Sequence, residues 1–161
     1  MLKRDRNNYV RAAFHRELKE ERSKWLAHVK RLQNKQLCPP TISRLLKEVR
    51  DVIARDAFVV PSSGNTQAQI LQEFPFYEPG TCVTTGGFST MGFALPAALG
   101  VKLAHPRRQV VAIAGDGDFL MTMQELATAV EYGLNVVMVV ADSPGWIAIK
   151  DLQESAYGID R

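Results

Sequence analysis

Two stretches decide the fold of this 161-residue chain: Gln109-Val110-Val111-Ala112-Ile113-Ala114-Gly115-Asp116-Gly117-Asp118 and Asn135-Val136-Val137-Met138-Val139-Val140-Ala141-Asp142-Ser143-Pro144-Gly145. Each is an uninterrupted apolar run that stops at aspartate, glycine and small polar residues. Runs of this length without polar alternation predict strands buried on both faces, as in a parallel sheet. Between them, Thr122–Tyr132 reads as a helix closed by Gly133. Strand, helix, strand in this order predicts a βαβ unit. The two strands are then neighbours, and their carboxyl ends bring Asp116 and Ser143 to one edge, where open parallel sheets bind ligands.

Upstream, the same texture extends back to Thr41. Gly86–Leu103 reads as a glycine-rich turn and a small-residue helix, in which Pro96 marks either an early-turn position or a kink. Cys82–Thr84 and Ala57–Pro61 read as short strands, the latter leading through a Ser62–Asn65 turn into another helix. Thr41 is placed to cap a helix whose apolar face is Ile42, Leu45, Leu46, Val49 and Ile53. Downstream, Trp146–Leu152 begins one more helix, and Trp146 and Ile147 either border a pocket or pack. A doubly wound parallel sheet needs further strands beyond this point, so the α/β fold reads as C-terminally incomplete. Ahead of it lies a basic helical segment. Residues 1–37 lack glycine and set Phe14, Leu18, Trp25, Leu26, Val29 and Leu32 at helical intervals, which predicts one or two amphipathic helices ending at Gln33–Gln36 and the Pro39–Pro40 pair. The expected division is 1–40 and 41–161.

Charge follows the same division. Residues 1–56 carry 15 Lys/Arg against 7 Asp/Glu, and the remainder carries 5 against 10. A basic half is a possible nucleic-acid footprint. Glu17, Glu20 and Glu21 interrupt it, so a solvated helix is the expected reading and no nucleic-acid partner is assigned. The apolar runs are too short to span a bilayer, and Met1–Lys19 has no apolar core of a signal peptide. Cys38 and Cys82 show no motif spacing and read as reduced thiols of a cytoplasmic protein.

The chemistry lies in the two strand-end turns. Asp116 offers a hard oxygen to Mg²⁺, which keeps about six oxygen ligands and shares them with phosphates. Gly117 allows close backbone approach, and the N–H groups that follow face an anion at a helix start. Other readings of these residues fail. An EF-hand loop starting at Asp116 would need a ligand at Leu120 and a glycine at Met121, and Gly86, Gly87 and Gly92 lack dinucleotide-fingerprint spacing.

Gly115-Asp116-Gly117 followed 24 residues later by Asp142-Ser143 resembles the Gly-Asp-Gly … Asn-Asn signature of thiamine-diphosphate (ThDP) enzymes. Met121–Val130 and Thr85–Ala98 are close to the wording of acetolactate synthase-like 2-oxo-acid carboligases and decarboxylases. Gly64-Asn65-Thr66-Gln67 stands where that family has a Gly-x-x-Gln turn, and Ser23-Lys24-Trp25-Leu26 resembles the stretch that joins the family's middle domain to its C-terminal domain. The resemblance covers residues 20–157. It implies a helical linker over 1–40 and a partial ThDP diphosphate-binding domain over 41–161.

The resemblance also implies roles. Asp116 would bind Mg²⁺ by its carboxylate, Ser143 by its hydroxyl and Gly145 by its carbonyl. The turn Gly115-Asp116-Gly117-Asp118 would hold the diphosphate through backbone N–H groups of Gly117 and Asp118, with Asn65 and Thr66 flanking it. Met91 would lie beneath the thiazolium. The family's chemistry is carbanion chemistry on a 2-oxo acid, carried by the cofactor. The activating glutamate belongs to a pyrimidine-binding domain that no part of this chain resembles, so no residue here is assigned as catalytic. The implied partner is such a domain or subunit in a homo- or hetero-oligomer. Three departures stand out: Asp142-Ser143 replaces Asn-Asn, Asp118 is expected to add negative charge near the anion, and no part of this chain resembles the domain that carries the activating glutamate. They keep open a second reading, a truncated inactive remnant or a non-enzymatic interaction module.

Overall fold

A computed structural model describes residues 2–143, 145 and 147–158, with the side chains of residues 2–10 outside the description. Trp146, read above as a pocket border, lies outside the described residues. The chain divides into two units, residues 1–45 and 46–161.

In the first unit, α1 (Leu2–Gln33) is one continuous helix rather than two. Phe14, Leu18 and Leu26 are exposed on it, whereas Val29 is buried. The chain leaves α1 before the Pro39–Pro40 pair, and Thr41 then works in two directions. Its hydroxyl donates to the Leu32 carbonyl and accepts from the Arg44 N–H, each at 3.2 Å. The second bond is the helix cap expected of Thr41, and it starts α2 (Ile42–Val52), which straddles the division.

The second unit is built on a parallel sheet in the order β1-β2-β3, from β1 (Phe58–Pro61), β2 (Val110–Gly115) and β3 (Val137–Ala141). Between β1 and β2 the chain forms α3 (Gly64–Glu73), a 3-10 turn at Gly86–Phe88 and α4 (Ala94–Ala104). Pro96 is the third residue of α4, where its missing N–H deprives no carbonyl of a helical bond. Phe58, Val60, Ala112 and Ala114 pack with Ala94 and Ala98 of α4 on one sheet face. Small residues on α4 let the helix lie close to the sheet. Alternation sends Val59, Val111 and Ile113 to the opposite face, where they are also buried. Burial on both faces is what the unbroken apolar run of β2 requires.

After β2 come α5 (Asp116–Leu120), α6 (Glu125–Glu131) and, beyond β3, α7 (Ile147–Tyr157). Three expectations are corrected here. The segment Cys82–Thr84 is not a strand; it makes a single bridge, Cys82 to Val59. Pro61 has no N–H and the 3-10 turn at Gly86–Gly87 follows at once, so the ladder cannot extend. And β3 is not buried: Val137 is 55% and Val140 38% exposed. It is the edge of this three-stranded sheet, so its apolar composition is not matched by covering elements. The helix expected from Thr122 begins later, at Glu125, because residues 121–124 form turns against Gly92. Among the described residues no helix is long and apolar enough to cross a membrane.

Candidate functional site at the carboxyl ends of the strands

β2 and β3 pair in parallel with Val111 beside Val137 and Gly115 beside Ala141, so the residues that follow both strands leave the sheet at one edge. α5 starts at Asp116, directly after Gly115 in extended conformation. The first N–H groups of a helical turn have no carbonyl partner within it and stay open to an outside acceptor. Asp116 and Ser143 meet as the strand order predicts. The Ser143 hydroxyl stands 3.3 Å from Asp116 Oδ1 and 2.9 Å from the Gly145 carbonyl oxygen, and it can donate to one of them at a time. The Gly145 carbonyl also accepts from the Ile147 N–H at 2.9 Å, and the Gly145 N–H donates to the Ser143 carbonyl at 2.7 Å. This tight turn places Gly145 at φ +134°, a conformation that L side chains rarely adopt.

The three oxygens suit a small hard cation. Adjacent ligands of octahedral Mg²⁺ at 2.0–2.1 Å stand about 2.9 Å apart, close to the separations found here. Among the described residues no group of three or more His, Cys, Asp or Glu could hold a metal. A cation at this edge would therefore combine one carboxylate with hydroxyl, carbonyl and ligand oxygens, which is the usual Mg²⁺ pattern. Asp142 is exposed beside Ser143, so the paired turns are acidic. A diphosphate would be repelled from them unless a divalent cation lay between.

The remaining residues expected at the site are distributed around this edge. Asn65 and Thr66 sit in the first turn of α3, after β1. Thr66 is buried, and the Asn65 amide donates to Asp151 Oδ2 on α7 at 3.3 Å. Met91 is half-buried in the turn before α4. Gly117 lies within α5.

Asp118 differs from expectation. Its carboxylate points inward, is 4% exposed, and adds no open charge to the turn. Asp118 Oδ1 accepts from the Ser62 hydroxyl at 2.6 Å and from the Gly92 N–H, and Oδ2 accepts from the Ser63 N–H at 2.7 Å. Three donors satisfy a carboxylate that would otherwise be costly to bury. A polar network not foreseen in the sequence extends from there. Ser63 and Ser89 share a 3.1 Å hydroxyl bond, Ser89 donates to Gln67 Oε1, and the Gln67 amide donates to Thr84 Oγ1 at 2.7 Å. Its one visible signal was the Ser62-Ser63 pair at the end of β1.

Residues 62–161 match the family described as thiamine pyrophosphate enzyme, C-terminal TPP binding domain. The acetolactate synthase large subunit of Haemophilus influenzae is 43% identical over 101 residues, covering 63% of this chain and 18% of the relative. That of Lactococcus lactis is 36% identical over 125 residues, 78% of this chain and 21% of the relative. The isozyme 1 large subunit of Escherichia coli is 34% identical over 145 residues, 86% of this chain and 26% of the relative. The chain thus spans about a fifth to a quarter of the length of these relatives. With a parallel sheet, the Gly-Asp-Gly turn at the end of β2 and this sequence match, the chain belongs to the thiamine pyrophosphate enzymes, in their C-terminal TPP-binding domain.

Proposed function

We propose that this chain supplies the Mg²⁺-diphosphate half of a ThDP site in an acetolactate synthase-like 2-oxo-acid carboligase or decarboxylase, acting together with a separate pyrimidine-binding domain. The observation that carries this reading is the oxygen cluster of Asp116, Ser143 and Gly145 at the ends of two neighbouring strands. Asp116, Ser143 and the Gly145 carbonyl hold the cation. To serve as a ligand, the Ser143 hydroxyl would direct its proton away from the cation and offer a lone pair. Backbone N–H groups of Gly117 and Asp118 receive the diphosphate, Gly115 leaves room for its approach, and Asn65 and Thr66 flank it. Met91 supports the thiazolium end. When bound, ThDP provides the carbanion-stabilising centre for a 2-oxo acid substrate. This chain's part is to anchor and orient it, while the activating glutamate comes from the partner domain.

An oligomer with that domain is part of the reading. Val137 and Val140 on β3, and Leu126 and Val130 on α6, are exposed apolar side chains. Exposed apolar surface of this kind favours association. The free thiols Cys38 and Cys82 fit the reducing cytoplasm. The domain reading places residues 1–40 as a linker from a middle domain and 41–161 as the ThDP-binding part.

Calorimetric titration with ThDP, with and without Mg²⁺, tests the site in three proteins. The parent binds only with Mg²⁺, and Asp116→Ala reduces that binding below detection. Ser143→Asn strengthens it by less than about tenfold, because each protein contact competes with water that Mg²⁺ releases reluctantly. If Asp116→Ala binds like the parent, the site is not of this kind. If Ser143→Asn weakens binding, coordination has passed to Asp142 or to a rearranged turn.

A further inference from the structure

The carboxylate of Asp118 is buried two residues from the proposed cation ligand, yet its hydrogen bonds go to the turns after β1 and before α4. Its three donors come from two separate turns. Ser62 and Ser63 close β1 and lead into the first turn of α3, and Gly92 follows Met91. Gly92 is gripped from both ends. Its N–H donates to Asp118 Oδ1, and its carbonyl accepts from the Thr122 hydroxyl at 3.0 Å. Both gripping residues belong to the stretch that begins at the Gly-Asp-Gly turn. The Ser62 hydroxyl adds a cross-link, donating to Asp118 while accepting from the Ala94 N–H at 3.4 Å. Gly92 itself has φ +77°, and a Cβ there would lie 2.9 Å from Thr122 Cγ2. The Met91 turn is therefore fitted against the Gly-Asp-Gly stretch with no slack.

We propose that Asp118 is a positioning residue: its carboxylate locks the Ser62–Ser63 turn and the Met91–Gly92 turn to the diphosphate turn, and so sets where the two ends of the cofactor are held relative to each other. This rests on the ThDP reading of the site. The diphosphate end depends mainly on Asp116 and its neighbours, whereas the thiazolium end depends on Met91. Loosening the lock should then harm a ligand that touches both ends more than one that touches only the first.

The test compares ThDP with inorganic diphosphate, each titrated with Mg²⁺ into the full chain and into Asp118→Asn. Asparagine keeps the size and the Oδ1 acceptor but sets an NH₂ group against the Ser63 N–H, so one of the three bonds is lost and replaced by a donor–donor contact. Affinity for ThDP should fall roughly tenfold more than affinity for diphosphate, the scale of one hydrogen bond to a charged group. Ser62→Ala removes a different donor to the same carboxylate. It should shift the ratio in the same direction, which keeps the test valid if Asp118→Asn folds poorly. Equal losses for both ligands, or none, would overturn the positioning role while leaving the cofactor site standing. A parent chain that binds neither ligand overturns the cofactor reading itself and this inference with it.

Discussion

Replacing Gly92 by alanine should be one of the most damaging single-methyl additions in the chain. Two costs combine. The backbone at φ +77° lies in the left-handed region, where a non-glycine residue costs about 1–2 kcal/mol. The added Cβ would also stand 2.9 Å from Thr122 Cγ2 and 3.3 Å from Met121 Cβ, inside the ordinary carbon contact distance of about 3.5–4.0 Å. Overpacking of this kind costs about 1–3 kcal/mol. Restricting the unfolded chain returns about 0.4–1 kcal/mol, so the net loss is about 1–4.5 kcal/mol. In urea, with a slope of about 2 kcal/mol/M, the unfolding midpoint should drop by about 0.5–2 M. Thr122→Ser removes the clashing methyl but keeps the hydroxyl that donates to the Gly92 carbonyl. In the double variant the steric part should be relieved, giving a favourable coupling of about 1–2 kcal/mol, while the backbone part remains. If the two substitutions add within about 0.5 kcal/mol, the contact with Thr122 is not the source of the damage and the tight fit of the Met91 turn is refuted.

Gly115→Ala should behave oppositely: its backbone is extended at φ −74° and an added Cβ meets nothing within 4 Å, so restricting the unfolded chain should raise stability by about 0.4–1 kcal/mol. Calorimetry should nevertheless show weaker Mg²⁺-dependent ThDP binding, because the methyl occupies open space on the approach to the turn; unchanged affinity would place the diphosphate elsewhere. Burial pushes the Cys82 thiol above its ordinary pKa, whereas Cys38 is exposed. Alkylation of the folded chain near pH 8, mapped by mass spectrometry, should therefore label Cys38 first, and labelling of Cys82 first would contradict the burial. The folded state keeps the Cys82 proton to higher pH than the unfolded chain does. The stability this contributes is present below about pH 8.5 and declines as pH rises toward the folded value; a pH series of unfolding midpoints should be flatter in Cys82→Ala, and identical slopes would count against it.

The neighbouring strands and the meeting of Asp116 with Ser143 were legible because they depend on local pattern. An unbroken apolar run names a strand, a helix between two such runs makes them parallel, and parallel neighbours end at the same edge. What failed was whatever depended on distant partners. Val137 and Val140 have the composition of a buried strand, but burial is conferred by elements that lie alongside, and composition cannot count those. Cys82–Thr84 has strand propensity, yet its ladder is limited by Pro61, about twenty residues away in sequence. Asp118 was read as a charge at the anion because it follows the diphosphate turn. Its direction is set by α5, a helix too short to show periodicity, and by donors 56, 55 and 26 residues away. Main-chain placement was thus largely readable at this site, and side-chain direction was not.

The contrast between β2, which is buried, and β3, which is exposed, divides the site by its resistance to local opening. The Asp118 lock is anchored to β1, β2 and α4, whose residues form the hydrophobic core. Segments buried in this way open only when most of the domain unfolds. Ser143 and Gly145 follow β3, which pairs with β2 along its length but stands at the sheet edge with Val137 and Val140 exposed. Amide exchange in β1 and β2 should accordingly be slow and nearly uniform, and exchange in β3 faster and governed by sub-global opening. A cation bridging Asp116 to Ser143 would tie the weaker segment to the stronger one. Ligand binding would then be recorded most clearly in the protection of β3, while the core strands scarcely register it.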